Sequence, residues 1–170
     1  MPRPDEADFL RHALKAHEPA VQYCQTLFQI SQTLDDLVDG DKPVSQSTIV
    51  SAFWKSLIEL PANPFYRQNE LYLRPLMAGA LQDWRDSVML ERSDSEHLKT
   101  LAFVLRDQLT GVVIQCAYLV GGEQWMTKIG PQARVYFQDE LLADYLNELS
   151  GITDDGSADL WAAEAAATTK

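Results

Sequence analysis

Histidine and cysteine, common metal ligands and catalytic side chains, are scarce in this sequence. The chain of 170 residues has three histidines and two cysteines. Cys24 and Cys116 each lie among apolar residues without metal-ligand spacing, so we predict two buried, reduced thiols. No histidine stands near a nucleophile signal. The sequence therefore offers no cysteine-based metal site and no Ser/His/Asp or Cys/His arrangement.

Basic residues and long apolar runs are also few. There are 14 Lys and Arg against 25 Asp and Glu, which gives a formal net charge of -11. Without a basic surface to displace counterions from phosphates, nucleic acid is not expected as a partner. The opening MPRPDEADFL lacks the apolar run of a signal peptide, and no stretch approaches a membrane span. We therefore expect a cytoplasmic protein.

Helical periodicity is what the sequence has in abundance. Between Glu18 and Asp39, apolar residues step by three and four, and similar patterns recur almost throughout, whereas no convincing strand pattern appears. We predict an all-α fold, an antiparallel bundle of five to seven helices in a single domain over residues 1–150. The acidic, Ala-rich tail over 151–170 is predicted to be disordered, or a short docking helix around Trp161 for a protein partner.

Several individual elements are also predicted. Gly40 suits the C-cap of the helix that ends at Asp39, and Ser45 or Ser47 suits the N-cap of the next. A helix of about seven turns is expected from Ser93 or Ser95 to Gly121-Gly122, with a separate helix opening at Pro131. Pro75 is expected to kink a long helix or delay its start. Apolar stripes assign three tryptophans to the core, Trp54, Trp84 and Trp125, and the loop pair Phe65 and Tyr66 is expected to fold onto it.

An acidic cluster ends the second predicted helix. Asp35, Asp36 and Asp39 precede Gly40 in the stretch QTLDDLVDGDKP. An exposed anion in the last turn faces the negative end of the helix dipole, at a cost of about 0.3–1 kcal/mol each. The preceding polar positions are glutamines, so no basic residue one turn back offsets the charge. The cluster is either a solvated helix end leading into a turn or part of a site for a hard cation such as Mg²⁺.

A second set of oxygen-bearing residues follows at helical spacing. Asp83, Ser87 and Glu91 stand four and eight apart, which places them along one stripe of a helix over about 12 Å. A carboxylate, a hydroxyl and a carboxylate in a row suit chelation of one cation. They flank the apolar stripe of their helix, as expected for a site at the rim of a bundle interior.

The two sets together resemble the metal motifs of class I isoprenoid (terpene) synthases. Asp35-Asp36-x-x-Asp39 is similar to their D-D-x-x-D motif, and Asp83-x-x-x-Ser87-x-x-x-Glu91 to their N/D-x-x-x-S/T-x-x-x-E triad, on a much shorter chain. The resemblance implies Mg²⁺ ions that bind and activate a substrate diphosphate inside an all-α fold.

Two looser resemblances accompany it. Asp36-x-x-Asp39 and Asp83-x-x-Asp86 imitate, with Asp for Glu, the motifs of the all-α nucleotide pyrophosphohydrolases. The compact size and acidic tail are also similar to those of uncharacterised helical proteins of phages and prophages, which would place the protein in the host cytoplasm.

Two hypotheses of different classes follow. In the first, the six motif residues hold Mg²⁺ for an isoprenoid diphosphate or a nucleotide, and Arg106 or Lys99 contacts phosphate. The structural interpretation of Arg106, as part of a buried ion pair at Arg106-Asp107 in mid-helix, is favoured over phosphate contact. In the second, the protein is a non-catalytic helical interaction or assembly protein whose acidic cluster is solvated or structural.

Overall fold

The computed structural model describes residues 4–40 and 42–151, and this part of the chain is all-α, without a β-strand. The predicted fold class is therefore confirmed, whereas the antiparallel bundle and the domain boundary at residue 150 stay predictions. The predicted tail around Trp161 lies outside the described residues. The helical elements are α1 (Glu6–Ala13), α2 (Glu18–Asp39), α3 (Gln46–Trp54), a π-helical turn (Lys55–Glu59), α4 (Leu60–Ala62), α5 (Pro64–Leu90), α6 (Glu96–Leu105), α7 (Leu109–Phe137) and α8 (Leu142–Gly151).

The chain divides into two compact units. Among the described residues, the first unit comprises 4–40, 42–80 and Leu109–Phe137, and the second comprises Leu81–Gln108 and 138–151. The first unit contains a contiguous apolar core contributed by α1, α2, α4, α5 and α7. Its most deeply buried large side chains are Leu10, Leu14, Val21, Tyr23, Leu73, Val113 and Ile129.

Several predictions for the first unit are confirmed. Cys24 and Cys116 are free and buried, and Phe65 and Tyr66 are buried in the core. The apolar residues of α2 that step by three and four were expected to form a buried stripe from Tyr23 to Leu37. Tyr23 and Leu27 are buried, but Leu37 exposes 46% of its surface.

The second unit is smaller and packs α6 against α8. The Phe103 and Tyr145 rings lie 5.3 Å apart between centroids. Val88, Ala102 and Tyr145 are buried.

Local side-chain chemistry explains how α2 and α3 are bounded. The α2 N-cap is His17, whose Nδ1 accepts a hydrogen bond from the Ala20 N–H at 3.3 Å. Gly40 ends the helix in the left-handed conformation with φ 68°, which confirms the predicted C-cap. Ser45 caps α3, its hydroxyl accepting from the Thr48 N–H at 3.1 Å.

The predicted seven-turn helix is wrong, because it is interrupted after Leu105. Residues 106–108 form a turn before α7 begins at Leu109. The Gln108 side-chain amide donates to the Val104 carbonyl at 3.0 Å. In a continuing helix that carbonyl would accept the Gln108 backbone N–H, so the side chain replaces the helical bond.

The predicted helix stop at Gly121-Gly122 is confirmed, because the backbone leaves helical geometry at Gly122 with φ 77°. Two other boundaries differ from the sequence prediction. The helical segment after Gly122 runs through Pro131 to Phe137, so no separate helix begins at Pro131. In α5 the irregular residue is Asn69 and not Pro75. The Asn69 amide donates to the Phe65 carbonyl at 2.9 Å and so competes with the backbone bond there.

One stretch of the described residues, Glu96–Ser150, is long and apolar enough to cross a membrane by length and composition alone, with a mean hydropathy of 1.2 in its most apolar window. A core helix meets the same criterion, and α7 within this stretch supplies Val112, Val113, Cys116 and Ala117 to the core. No clear membrane span follows from it.

Candidate functional site

The three aspartates predicted to bind metal occupy the C-terminal end of α2 in the first unit. Asp35 and Asp36 are half-buried and Asp39 is exposed. The Gln32 side-chain amide donates to Asp36 Oδ1 at 3.1 Å. No basic residue occupies the last turn of the helix. The acidic helix end expected from the sequence is therefore present.

The predicted triad, Asp83, Ser87 and Glu91, lies in the second unit. Ser87 and Glu91 form hydrogen bonds with other parts of that unit. Ser87 is buried, and its hydroxyl donates to the Trp84 carbonyl of its own helix at 2.7 Å. Glu91 directly follows the end of α5, and its Oε2 accepts from the Tyr145 hydroxyl at 3.2 Å. Asp83 is half-buried. The predicted spacing is real, but the central hydroxyl bonds to backbone within α5.

Arg106 belongs to a cluster around Tyr145. Its guanidinium forms an ion pair with Glu140 at 3.0 Å and lies 4.9 Å from the centroid of the Tyr145 ring. Burial, followed by the nearby Glu91 carboxylate, raises the pKa of Tyr145 above its ordinary value. This arrangement agrees with the structural assignment of Arg106, with Glu140 as its partner. Lys99, the other predicted phosphate contact, is half-buried on α6.

Metal ligation needs several oxygen, nitrogen or sulfur ligands around one point. In residues 4–40 and 42–151, no three His, Cys, Asp or Glu side chains are grouped so that they would hold a metal ion. The residues as placed therefore do not form a metal centre, and the Mg²⁺ hypothesis stays a prediction from sequence.

A different feature of the first unit is an apolar face exposed to solvent. Five large side chains on α3 and the π-helical turn each expose between 48% and 68% of their surface: Val50, Phe53, Trp54, Leu57 and Ile58. We call this set the apolar stripe. Its spacing of three, one, three and one places the five residues along one side of a helix. The prediction that Trp54 lies in the core is therefore wrong.

The opposite side of the same segment faces the protein interior. Ala52 and Ser56 are half-buried, and Leu60 is buried in the core of the first unit. Both α3 and the π-helical turn pack on α2. The segment therefore has an inner face that holds it on the fold and an outer apolar face without a covering element among the described residues.

The π-helical turn has two local causes. The Leu60 N–H bonds to the Lys55 carbonyl, five residues back. One residue after Lys55, the Ser56 hydroxyl donates to the Ala52 carbonyl at 2.8 Å and disturbs the ordinary helical bonding. Pro61 has no N–H for an α-helical bond, and its ring would clash with the carbonyl four residues back.

The wider turn keeps both faces in line. Residues spaced by four drift around an ordinary α-helix, because one turn takes 3.6 residues. A turn with i to i+5 bonding offsets that drift. Phe53 and Leu57 are therefore aligned along the helix axis, and so are Trp54 and Ile58. Leu60 remains on the inner face. Single π-helical turns inside helices frequently mark functional sites.

One margin of the apolar stripe is polar. Ser51, Lys55 and Glu59 follow one another at intervals of four, and the Lys55 ammonium donates to the Ser51 hydroxyl at 3.1 Å. Near the start of α3, an open groove is lined by Gln46, Ser47, Val50, Ser51 and Trp54. The outer face thus combines an apolar centre with a margin that carries one positive and one negative charge.

The sequence contained the signal for this surface. Val50, Phe53, Trp54, Leu57 and Ile58 follow the i, i+3, i+4, i+7 pattern of an amphipathic helix. A core stripe has the same pattern, so periodicity assigned Trp54 to the interior. The weaker pattern on the other side, Ala52, Ser56 and Leu60, faces the core instead.

Similarity to other proteins does not add to this assignment. Comparison of the chain with protein-family models, with curated proteins and with solved structures gives no match.

Proposed function

We propose that this protein is a non-catalytic helical interaction module that docks a partner through the apolar stripe. The observation that carries the proposal is the exposure of five large apolar side chains on one helical face. Single exposed apolar residues are normal on soluble proteins, whereas a contiguous patch marks an interaction site.

The size of the surface supports this assignment. Five side chains of this size, each about half exposed or more, amount to roughly 500 Å² of apolar area, near the upper end of the ~300–600 Å² typical of the largest patch on a monomer. Its burial contributes roughly 12 kcal/mol at ~25 cal/mol per Å². Association itself costs about 4–15 kcal/mol, so the partner must bring apolar area of its own.

The shape and charge of the surface define the partner's chemistry. A straight apolar row on a helix fits the apolar face of another helix, with anchors at intervals of three and four. Lys55 and Glu59 balance each other in charge, so this surface does not select a strongly charged ligand. We therefore propose an amphipathic helix as the docked element.

Site-specific photo-crosslinking tests the proposal. A photoreactive amino acid replaces Leu57 in the apolar stripe, or Leu71 on α5 as a matched control, in cells of the source organism. Leu71 is an exposed leucine of the same unit, with 95% of its surface accessible, and it lies outside the stripe. We expect covalent adducts from position 57 and none from position 71. Equal adduct yields from both positions, or none from either, would rule the docking surface out.

The Mg²⁺-dependent function is a second candidate. It is favoured by the acidic end of α2, which has no basic residue in its last turn. In it, Mg²⁺ would neutralise a diphosphate-bearing small molecule, and Arg106 or Lys99 would contact phosphate. We place it second because the described residues do not group around a metal position.

A further inference from the structure

We infer that the first unit contains a second binding site, a group of basic side chains around Trp125 that takes a phosphate monoester. The inference goes beyond the proposed function, because this site lies on α1, α7 and the turn after α1 and shares no residue with the apolar stripe. The Lys15 and Lys128 ammonium groups lie 4.8 and 5.4 Å from the centroid of the Trp125 ring. The His12 ring lies 5.9 Å from it between centroids. We call these four residues the Trp125 cluster.

The Trp125 indole is held against the backbone of both helices. Its Nε1–H donates to the Ala13 carbonyl at 2.8 Å, which satisfies one of the carbonyls left unpaired at the end of α1. On α7, a Cβ at Gly121 would lie 2.5–2.7 Å from side-chain atoms of Trp125, so any larger residue there would displace the indole. The ring therefore has a fixed position, and the three basic side chains around it are exposed.

Lys15 occupies a backbone position that favours glycine. Its N–H bonds to the His12 carbonyl at 3.3 Å and the Ala16 N–H bonds to the Arg11 carbonyl at 2.7 Å, which are the two bonds of a Schellman motif. Lys15 is the left-handed residue of this motif, with φ 51°. A Cβ disfavours that conformation, so glycine is the usual residue there. A residue that breaks a local rule of this kind is expected where the side chain serves binding.

The lysines of the Trp125 cluster are not ion-paired with a carboxylate among the described residues. The acidic residues nearest in sequence to the turn after α1 are Asp8 and Glu18, and both pair with Arg11, at 3.4 and 3.3 Å. Glu123 lies two positions before Trp125, and residues two apart on a helix do not face each other. The cluster therefore keeps the positive charges of both lysines in a chain whose formal net charge is -11.

The charge of the cluster defines the class of ligand. Ammonium groups act as point charges and N–H donors for phosphate oxygens. A phosphate monoester carries about -1.5 to -2 charges at pH 7 and so neutralises both lysines, whereas a carboxylate neutralises one. The indole offers an apolar contact to the organic part of the ester. Salt screens the distant carboxylates of the chain over about 8 Å, and because the site is exposed we expect binding in the millimolar range.

Titration of the purified full chain with phenyl phosphate at constant ionic strength tests the inference. The readout is the indole N–H signal of Trp125 in a proton–nitrogen correlation spectrum, assigned with Trp125→Phe. We expect the signal to shift with phenyl phosphate, to require higher concentrations of inorganic phosphate, and not to shift with benzoate, which has the same ring and a single charge. No shift with phenyl phosphate, equal affinity for benzoate, or tighter binding of inorganic phosphate overturns the inference.

Substitutions that remove one charge at a time identify the residues that bind. Lys15→Gly and Lys128→Gln are each expected to weaken binding of phenyl phosphate by about fivefold or more. Lys42→Gln, at an exposed lysine of the same unit outside the cluster, is the control and leaves the affinity unchanged. Because glycine suits the left-handed turn, Lys15→Gly is expected to melt at or above the wild-type temperature, so its loss of binding does not come from unfolding. Unchanged affinity in both cluster variants, or an equal loss in Lys42→Gln, overturns the inference.

Discussion

Two tyrosines show how a single hydroxyl alters the stability of this protein. Tyr23 is fully buried in the first unit, and its hydroxyl has no hydrogen-bond partner among the described residues. Tyr145 is buried in the second unit, and its hydroxyl donates to Glu91. A buried hydroxyl without a hydrogen-bond partner destabilises the folded state, whereas a hydroxyl bonded to a carboxylate stabilises it.

Tyr→Phe substitutions at these positions should therefore have different effects. Tyr23→Phe is expected to leave the free energy of unfolding unchanged or to raise it by up to about 1 kcal/mol, because the desolvated hydroxyl is removed. Tyr145→Phe is expected to lower it by about 1–2 kcal/mol, because Glu91 loses its donor. Urea denaturation measures both values. Equal losses in the two variants would contradict the hydrogen-bond assignment.

Alkaline pH should destabilise the protein through the same two side chains. Burial raises the pKa of both tyrosines above the ordinary value of 10.0. Above about pH 10 the unfolded state loses these protons while the folded state retains them, so stability falls as pH rises. The slope between pH 10 and 11 is expected to be shallower in Tyr23→Phe than in the wild type, with identical slopes at neutral pH. Denaturation midpoints across this range provide the measurement.

The acidic end of α2 offers a test of the metal hypothesis. Asn in place of Asp36 keeps an oxygen acceptor for Gln32 and removes a negative charge from the last turn of the helix. Asp36→Asn is therefore expected to stabilise the metal-free protein by about 0.3–1 kcal/mol. Glu96→Gln, in the first turn of α6, is the control with the opposite sign, because acid there is favourable.

The same variant distinguishes a cation site from a solvated helix end. If Mg²⁺ and pyrophosphate bind here, they raise the melting temperature of the wild type and not that of Asp36→Asn, as ligand linkage requires. A thermal-shift titration with each ligand alone and with both together measures this. No wild-type shift, or the same shift in the variant, eliminates the Mg²⁺-dependent function.

At the scale of the element, substitutions at two glycines distinguish the effect of backbone conformation on stability from the effect of packing. A Cβ at Gly40 or at Gly79 would meet no atom within 4 Å, so neither position resists a methyl group sterically. Gly40 is left-handed with φ 68°, whereas Gly79 lies inside α5. Gly40→Ala is expected to destabilise the protein by about 1–2 kcal/mol, and Gly79→Ala to stabilise it by about 0.5–1 kcal/mol. Thermal denaturation checks the signs, and a loss in both variants would contradict this account.

The helix ends that sequence predicted correctly are those with a local chemical cause. Gly40 and Ser45 are residues whose backbone freedom or side-chain oxygen suits a cap, and each is found there. The break after Leu105 and the π-helical turn were not predicted. Their causes are hydrogen bonds from Gln108 and Ser56 to carbonyls of the preceding turn, together with Pro61 after the π-helical turn. Such residues occur in uninterrupted helices too, so composition does not reveal the competition.

The candidate sites show that sequence also does not reveal what each face of a helix contacts. Spacing placed Asp83, Ser87 and Glu91 on one stripe, but burial and a backbone acceptor decide where the Ser87 hydroxyl points. Spacing also defined the stripe containing Trp54 without indicating whether it faces core or solvent. Periodicity identifies a face, and only the packing of neighbouring elements identifies what that face contacts.

At the scale of the whole molecule, exposed and buried leucines should contribute to stability in different ways. Leu57 contributes to the apolar stripe and is largely exposed, whereas Leu73 is completely buried in the core. If the stripe pairs two copies, only folded chains associate, and mass action makes the melting temperature rise with protein concentration. A core residue acts within one chain, so its contribution does not depend on concentration.

Two substitutions separate these contributions. Leu57→Ser is expected to change the monomer's stability by less than about 0.5 kcal/mol, as for ordinary surface positions, and to remove any dependence of the melting temperature on concentration that the stripe causes. Leu73→Ala is expected to cost about 2–5 kcal/mol at every concentration and to retain the wild-type dependence. Calorimetric scans over a hundredfold range of protein concentration measure both effects. A wild-type melting temperature independent of concentration would show that the stripe does not join copies of this chain, and a concentration dependence that survives Leu57→Ser would place the contact on another surface.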